Sequence, residues 1–219
     1  METFLILYID KNAMILISAI GFEEKFLVRC FLRRGKNQIH KVILVKPKDG
    51  DNRKTEEAIS NLKKILDEAS VPLEILEVNP LDFVSAVVTI ARKVKSIKRK
   101  DFLLNLSSGM RILNLEILSA FMMLGYDAEI EVELESLNGL VVWKLKDLIP
   151  TDLDDREKVI LKAIRDGHYK VRDISSVTKI PLSTVSKKIA ELESKGYLER
   201  SKEVKLTKKG EMIIELENN

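Results

Sequence analysis

Residues 105–111, with the sequence NLSSGMR, have the clearest chemical potential in this 219-residue chain. Two hydroxyls, a glycine and an arginine lie there between an apolar run and a helix-forming run. Glycine lets a ligand approach the backbone closely, and the open N–H groups at a helix start favour an anion. Arginine can bind a phosphate through two parallel hydrogen bonds. This segment predicts a site for a phosphorylated ligand; the alternative is a structural turn in which Arg111 pairs with a carboxylate.

A second segment, residues 18–24, follows the first β-forming run and contains a single glycine, Gly21. The chain has neither the G-x-G-x-x-G fingerprint of dinucleotide-binding folds nor a Walker A sequence. NAD and ATP are therefore not the expected ligands, and no cofactor or metal is predicted.

Alternating strand and helix patterns must position these two segments. Strands are predicted over 14–20, 41–46, 73–78 and 101–106, and helices over 23–34, 55–69, 81–97 and 111–124. An antiparallel hairpin, 127–135 with 140–145, follows around an Asn-Gly turn. The pattern indicates an α/β, Rossmann-like, mostly parallel sheet over residues 1–146. Such sheets bind ligands at the carboxyl ends of the strands where strand order reverses, so both segments are expected to meet there.

The helix predicted over 111–124 is apolar around nearly its whole circumference. A helix on an exposed sheet face normally keeps one polar side, so its outer face requires a cover. The simplest cover is the same helix of a second subunit, which predicts a homodimer with two ligand sites near one axis. Coverage by the hairpin or by the C-terminal domain is the alternative.

Residues 147–154 contain a proline and several acids and are predicted to link the first domain to a second one, 155–219. Helices over 155–165, 171–178 and 183–195, then strands over 197–200 and 204–207, follow the order of an α+β winged helix-turn-helix. Residues 155–210 hold fifteen Lys/Arg against eight Asp/Glu, a local net charge of +7. The whole chain has a net charge of only +3, so the positive charge is concentrated in this region. This concentration of charge favours double-stranded DNA as partner over a winged helix used only for protein contacts. The predicted DNA-contacting residues are Ser183, Thr184, Ser186, Lys187, Lys188, Arg200, Lys202 and Lys205.

The remaining composition is typical of a cytoplasmic protein. The only cysteine, Cys30, excludes an intrachain disulfide framework. The N-terminal apolar runs, 4–9 and 13–20, are separated by polar residues and are too short to span a membrane. No membrane partner is predicted.

Residues 183–200 resemble the recognition helix and wing of MarR-like regulators. Residues 20–22 (IGF) together with 105–111 resemble the CRISPR-associated Rossmann-fold (CARF) domain, and the chain from about residue 13 resembles archaeal CRISPR transcription regulators that join CARF to a winged helix. The resemblance implies a dimer whose two-fold cleft binds cyclic oligoadenylate, commonly cyclic tetra-adenylate, as an effector. By position, the residues lining that cleft would be Ala19, Ile20, Gly21, Phe22, Ser107, Ser108, Gly109, Met110, Arg111 and Asn114. Many relatives have threonine or a second glycine where this chain has Ser107 and Ser108.

The expected function is therefore regulatory, not enzymatic. Arg34 and His40 have the spacing of the ribonuclease motif found in some CARF proteins, but they lie away from the expected cleft. His168 has no second metal ligand nearby in the sequence. Two alternatives stay open: a ring nuclease that degrades cyclic oligoadenylate, with Glu23 or Glu24 acting, and a regulator that senses another nucleotide.

Overall fold

A computed structural model describes residues 13–48, 53–136, 138–200 and 203–216. The chain forms two compact units that divide between Lys144 and Leu145. The predicted DNA contact Lys202 and the N-terminal residues 1–12 lie outside the described residues.

The first unit alternates strands and helices. Its strands are β1 (Met14–Ala19), β2 (Ile39–Pro47), β3 (Leu73–Val78), β4 (Phe102–Asn105), β5 (Glu129–Glu133) and β6 (Leu140–Lys144). Its helices are α1 (Lys25–Arg34), α2 (Arg53–Glu68), α3 (Phe83–Ser96) and α4 (Arg111–Leu124). The sheet order is β3-β2-β1-β4-β5-β6, with only β6 antiparallel among these strands. The predicted Rossmann-like sheet with a C-terminal antiparallel hairpin is thus confirmed.

Strand order reverses between β1 and β4, which pair in parallel with Ser18 opposite Asn105. Both strands are almost wholly buried, as expected for central parallel strands covered by helices on both faces. On one face α1 and α2 pack on β1 and β2, with Leu27, Phe31 and Leu62 in the core. The two predicted ligand segments therefore leave adjacent strands at the same edge of the sheet.

Helix α2 begins at Arg53, two residues before the expected start at Thr55. Thr55 is buried inside the first turn and does not begin the helix. The predicted start was wrong because Thr55 lies on the face that packs on the sheet.

The second unit begins with a 3₁₀ turn, Leu145–Leu148, and contains α5 (Asp155–Arg165), α6 (Val171–Thr178), α7 (Leu182–Ser194), β7 (Leu198–Arg200), β8 (Val204–Leu206) and α8 (Lys208–Leu216). Val185, Ile189 and Leu192 form the buried stripe of α7, in one cluster with residues of α5 and α6. Helix α5 starts with a capping box between Asp154 and Glu157. Strands β7 and β8 form an antiparallel pair. Helix α8 had not been predicted.

None of the helices in the described ranges is long and apolar enough to cross a membrane.

Candidate functional site

The turns that follow β1 and β4 touch through their backbones. A Cβ atom added at Gly21 would lie 3.2 Å from the Cα and N of Gly109. One added at Gly109 would lie 2.5 Å from the Cβ of Ala19 and 2.9 Å from its carbonyl carbon. Gly109 also has a φ of +79°, which a residue with a side chain rarely adopts. Glycine at both positions lets the two predicted segments meet at the point where strand order reverses.

Partly buried hydrogen bonds fix the course of the β4–α4 turn. The Asn105 side chain accepts a hydrogen bond from the Ser107 backbone N–H at 3.2 Å, which starts the turn. The Ser107 hydroxyl oxygen accepts one from the Glu133 backbone N–H at 2.8 Å. The Asn114 amide donates to the carbonyls of Leu106 and Ser108, at 3.2 and 3.0 Å. The turn is therefore held by side chains of its own segment and by the neighbouring strand β5.

Behind the turn, acids of β5 meet arginines of α1. Glu131 is fully buried and accepts hydrogen bonds from Asn105 at 2.9 Å and from Arg33 and Arg34 at 3.0 Å. Burial alone would raise the pKa of Glu131, but hydrogen bonds from Cys30, Arg34 and Asn105 bring it below its usual value. Glu131 therefore stays ionised and can hold Asn105 rigidly in place.

A concave pocket of about 340 Å³ lies in front of this turn. The residues that line it are Gly21, Phe22, Glu23, Phe26, Ser107, Ser108, Gly109 and Met110. Helix α4 begins immediately after them, and no side chain in the described part of the chain caps its first turn. Its first N–H groups are therefore available to an anion.

Arg111 is the first residue of α4 and is exposed. Its side chain makes no ion pair with any residue in the described ranges. The carboxylate-paired turn that was the alternative to a ligand site does not occur among them. The arginine is available to bind a phosphate next to the helix N-terminus.

The predicted ligand residues divide into two groups. Gly21, Phe22, Ser107, Ser108, Gly109 and Met110 line the pocket, with Arg111 directly after them. Ala19 and Ile20 are buried behind it, and the Asn114 amide is used to hold the turn. Phe26 lines the pocket but was missed from the sequence, because its position on the apolar face of α1 gives only a packing signal.

One face of α4 is apolar and exposed. Leu115, Leu118 and Met122 follow Arg111 at helical spacing, and Leu115 and Met122 keep 55% and 50% of their surface exposed. Leu118 is half-buried, but the described parts of the first unit, the hairpin included, leave Leu115 and Met122 about half exposed.

The sequence model of the Csa3 CRISPR-associated Rossmann-like domain matches residues 14–144. The chain belongs to this family. The matched region contains all six strands of the sheet and both segments that meet at the pocket, so this unit is named the Csa3 domain from here on. No curated protein gives a significant match.

Solved structures resemble the fold more distantly. Protein VC1899 from Vibrio cholerae is 8% identical with a TM-score of 0.45, over 92% of this chain and 64% of that one. Can2 from Sulfobacillus thermosulfidooxidans, solved in complex with cyclic tetra-adenylate, is 9% identical with a TM-score of 0.47, over 91% and 63%. A type III CRISPR defence DNA nuclease activated by cyclic oligoadenylate is 14% identical with a TM-score of 0.44, over 85% and 35%. The present chain spans less than two thirds of each of these proteins.

The second unit follows the Csa3 domain and carries the predicted DNA contacts. Ser183, Ser186 and Lys187 are exposed on α7, and 79% of the Lys187 side chain is accessible. Thr184 is half-buried at the start of the same helix. Arg200 and Lys205, on β7 and β8, are exposed. These positions form a polar and basic surface along α7 and the strand pair.

Lys188 differs from the other predicted DNA contacts. Its ammonium lies 2.7 Å from an Asp154 carboxylate oxygen and also pairs with Glu191. The hydrogen bonds that its ammonium donates to these two carboxylates raise the pKa of Lys188. Lys188 therefore ties α7 to the start of α5 and is the least available of the lysines on this helix.

Three further features of the described residues concern metal binding, Cys30 and His40. No group of three or more His, Cys, Asp or Glu side chains with metal-binding geometry occurs in the described residues. Burial raises the pKa of the Cys30 thiol, and nearby Glu131 raises it further, so this cysteine stays protonated. His40 lies at the start of β2, at the opposite edge of the sheet from the pocket.

Proposed function

We propose that this protein is a homodimeric, DNA-binding transcription regulator whose Csa3 domain binds cyclic oligoadenylate. The observation that carries the proposal is the pocket at the strand reversal, where the Gly109 turn and the start of α4 adjoin one cavity. Arg111, which makes no ion pair with any described residue, follows directly. Backbone N–H groups and a guanidinium are suited to the phosphodiester groups of a nucleotide. The apolar Phe22 and Met110 supply surfaces against which bases can stack.

The exposed face of α4 supports the dimeric part of the proposal. An apolar stripe of this kind is costly in water and marks an interaction surface. Arg111 begins the stripe that Leu115 and Met122 continue, so pairing of two α4 helices around a two-fold axis would bring two Arg111 side chains near that axis. A cyclic oligonucleotide with two-fold symmetry would then contact both copies equally.

The second unit supports the DNA-binding part. Two helices joined by a tight turn, followed by a strand pair, match the arrangement of a winged helix-turn-helix. In that arrangement α7 enters the major groove of the DNA and presents Ser183, Thr184, Ser186 and Lys187. The strand pair contacts the DNA backbone or the minor groove through Arg200, Lys202 and Lys205. Two half-sites about 10 base pairs apart, or a multiple of that, are the expected target.

Calorimetric titration of the full chain with cyclic tetra-adenylate tests the ligand site. Wild type is expected to bind, whereas Arg111→Ala is expected to bind at least about tenfold more weakly through loss of a charge-assisted contact. Arg53→Ala is the control, since Arg53 is exposed on α2 and pairs only with Glu57 among the described residues. Equal affinity of wild type and Arg111→Ala would refute the assigned role of Arg111. Linear tetra-adenylate, titrated in parallel, shows whether the ring is required.

The same mixture distinguishes a sensor from a ring nuclease. Glu23 lines the pocket, but its carboxylate pairs with Lys25 at 2.6 Å. We expect cyclic tetra-adenylate to be recovered intact after incubation. Linear products that disappear in Glu23→Gln would favour the nuclease instead.

DNA binding is tested with duplexes from the regions upstream of CRISPR-associated genes. Lys187→Gln should weaken binding and lower the slope of log Kd against log salt by about one, because one phosphate contact is lost. Lys188→Gln is the matched comparison and should change the slope less, since its ammonium is held by Asp154 and Glu191. Cyclic tetra-adenylate should change wild-type affinity about fivefold or more if the two units are coupled. The proposed regulatory function would be refuted if Lys187→Gln left the salt slope unchanged and cyclic tetra-adenylate left the DNA affinity of wild type unchanged.

A further inference from the structure

Residues 92–100, RKVKSIKRK, hold six basic side chains and no acidic one. They form the last turn of α3 and the loop that leads into β4. We call them the α3–β4 basic segment. Most cations elsewhere in the first unit have acidic neighbours, such as Lys46 with Glu56 and Glu77.

Only part of this charge is neutralised within the domain. Lys93 pairs with Glu74, and Arg99 lies 3.3 Å from Asp101. Arg92, Lys95 and Lys98 are exposed and make no ion pair with any residue in the described ranges. Lys100 is exposed as well, with its ammonium 3.6 Å from the centre of the Tyr126 ring. Four cations therefore face solvent within a short stretch of chain.

Helix stability accounts for only some of these residues. Cations in the last turn of a helix interact favourably with its dipole, which suits Lys93 and Lys95. Lys98 and Lys100 lie beyond the helix and gain little from it. The pKa of nearby His40 is lowered by burial. The positive charges of Arg99 and Lys41 lower it further. So dense a cluster of like charges is unfavourable without an anionic partner.

The segment lies at the edge of the sheet from which the chain continues to the second unit. Lys100 precedes β4, and Lys144 ends the antiparallel strand β6; both line one open cavity. That cavity also contains Asp101, Asp127 and Glu129, so its mixed charge does not suit an anionic small molecule. The second unit begins at Leu145, the residue directly after Lys144. DNA held by the second unit is thus joined to this edge through the chain itself.

We infer that Arg92, Lys95, Lys98 and Lys100 form a second DNA-contacting surface, on the Csa3 domain, that binds backbone phosphates. The inference rests on the proposed DNA binding of the second unit. Residues 92–100 contain no aromatic side chain for stacking on unpaired bases, so a duplex fits better than a single strand. Flexible lysines act as point charges that contact phosphates without reading bases. Because the surface is tethered to the α7 surface, even weak contacts would add to affinity.

A charge-matched pair of variants tests this surface. Arg92→Gln/Lys95→Gln/Lys98→Gln removes three exposed cations of the segment. Lys36→Gln/Lys54→Gln/Lys64→Gln removes three exposed cations elsewhere on the same domain, so the change in net charge is identical. The Kd for a mixed-sequence duplex of about 40 base pairs is measured by fluorescence anisotropy from about 50 to 200 mM KCl, the range in which phosphate contacts dominate. Both variants should unfold at the wild-type temperature, because all six side chains are exposed.

The segment variant is expected to lower the slope of log Kd against log salt by at least about two, and the control variant to leave it nearly unchanged. Equal slopes for the two variants would overturn the inference. Lys187→Gln, measured alongside, reports on the α7 surface separately. If Lys187→Gln lowers the slope and the segment variant does not, only this inference fails; if wild type binds no duplex, the proposed function fails and this inference fails with it.

Discussion

At the scale of single residues, Gly109 meets two independent constraints. Its φ of +79° disfavours any side chain, and a Cβ atom would also overlap Ala19 on β1. The pocket depends on this contact, because it brings the β4–α4 turn against the end of β1. The glycine was identifiable from the NLSSGMR pattern. The contact with Ala19 was not, since it arises only when β1 and β4 are paired.

Gly109→Ala should destabilise the domain by about 2–4 kcal/mol, from backbone strain together with steric overlap. Gly125→Ala is the matched control: Gly125 has a φ of +63°, but nothing lies within 4 Å of its added Cβ. It should cost only about 1 kcal/mol. Urea unfolding measures both, and equal losses would show that the contact with Ala19 is not tight.

Glu116, on α4, is fully buried, and neither carboxylate oxygen has a hydrogen-bond partner in the described residues. Burial raises the pKa of Glu116 to about 7, from an ordinary value of 4.5. The folded state therefore holds this proton more tightly than the unfolded state. The stability that the protonated Glu116 carboxyl contributes is complete below pH 4.5 and is lost as the pH rises through 7.

Between pH 5 and pH 8, wild type should lose about 2–3 kcal/mol relative to Glu116→Gln, which cannot ionise. Urea unfolding of both proteins at several pH values and a fixed protein concentration gives this difference. A difference that does not vary with pH would mean that water or another group solvates the carboxylate.

At the scale of elements, the strand β5 shows where the sequence was insufficient. Glu129, Glu131 and Glu133 alternate along β5, a pattern typical of a solvent-facing side. Glu131 and Glu133 are nevertheless buried, because arginines 29, 33 and 34 of α1 extend across this face. Periodicity predicted the strand and the helix, but not that their charges would pair. The support that Glu131 gives to Asn105 therefore could not be predicted.

Helix α8 was missed for a related reason. Gly210 near its start lowers the helical signal, yet a Cβ atom there would overlap the carbonyl oxygen of Tyr197. The Thr207 hydroxyl accepts a hydrogen bond from the Gly210 N–H at 3.2 Å and so caps the helix. The glycine is required by close packing between elements, which a local pattern does not reveal.

Tyr197 joins the start of the strand pair to the segment that precedes α5. Its hydroxyl donates to the Thr151 carbonyl at 2.7 Å and accepts from the Thr151 N–H at 3.1 Å. Tyr197→Phe leaves these backbone groups without a partner and should destabilise the second unit by about 1–3 kcal/mol. Hydrogen exchange at the Thr151 amide should accelerate. Tyr169→Phe, at a more exposed tyrosine of the same unit, should change neither the stability nor the exchange rate of the Thr151 amide. An unchanged exchange rate in Tyr197→Phe would contradict the role assigned to the Tyr197 hydroxyl.

At the scale of the whole molecule, the chain combines a Csa3 domain with a basic second unit. The parallel sheet and the meeting of the two turns at the pocket followed from the alternation of strands and helices, because parallel strands place their carboxyl ends at one edge. The hairpin followed from its Asn-Gly turn, whereas the full order of the strands did not follow from the sequence. A second copy of the chain could be predicted only from the unusual composition of α4. The proposed ligand site requires that two chains pair through the exposed stripe beside Arg111, since a cleft shared by two Arg111 residues exists only in a dimer.

Native mass spectrometry of the full chain with cyclic tetra-adenylate gives the number of chains and ligands in one complex. We expect a dimer that binds one ligand per two chains. Leu115→Glu should yield a monomer with weakened binding, because a charge enters the paired helices. A monomer that binds one ligand per chain with undiminished affinity would contradict the shared cleft.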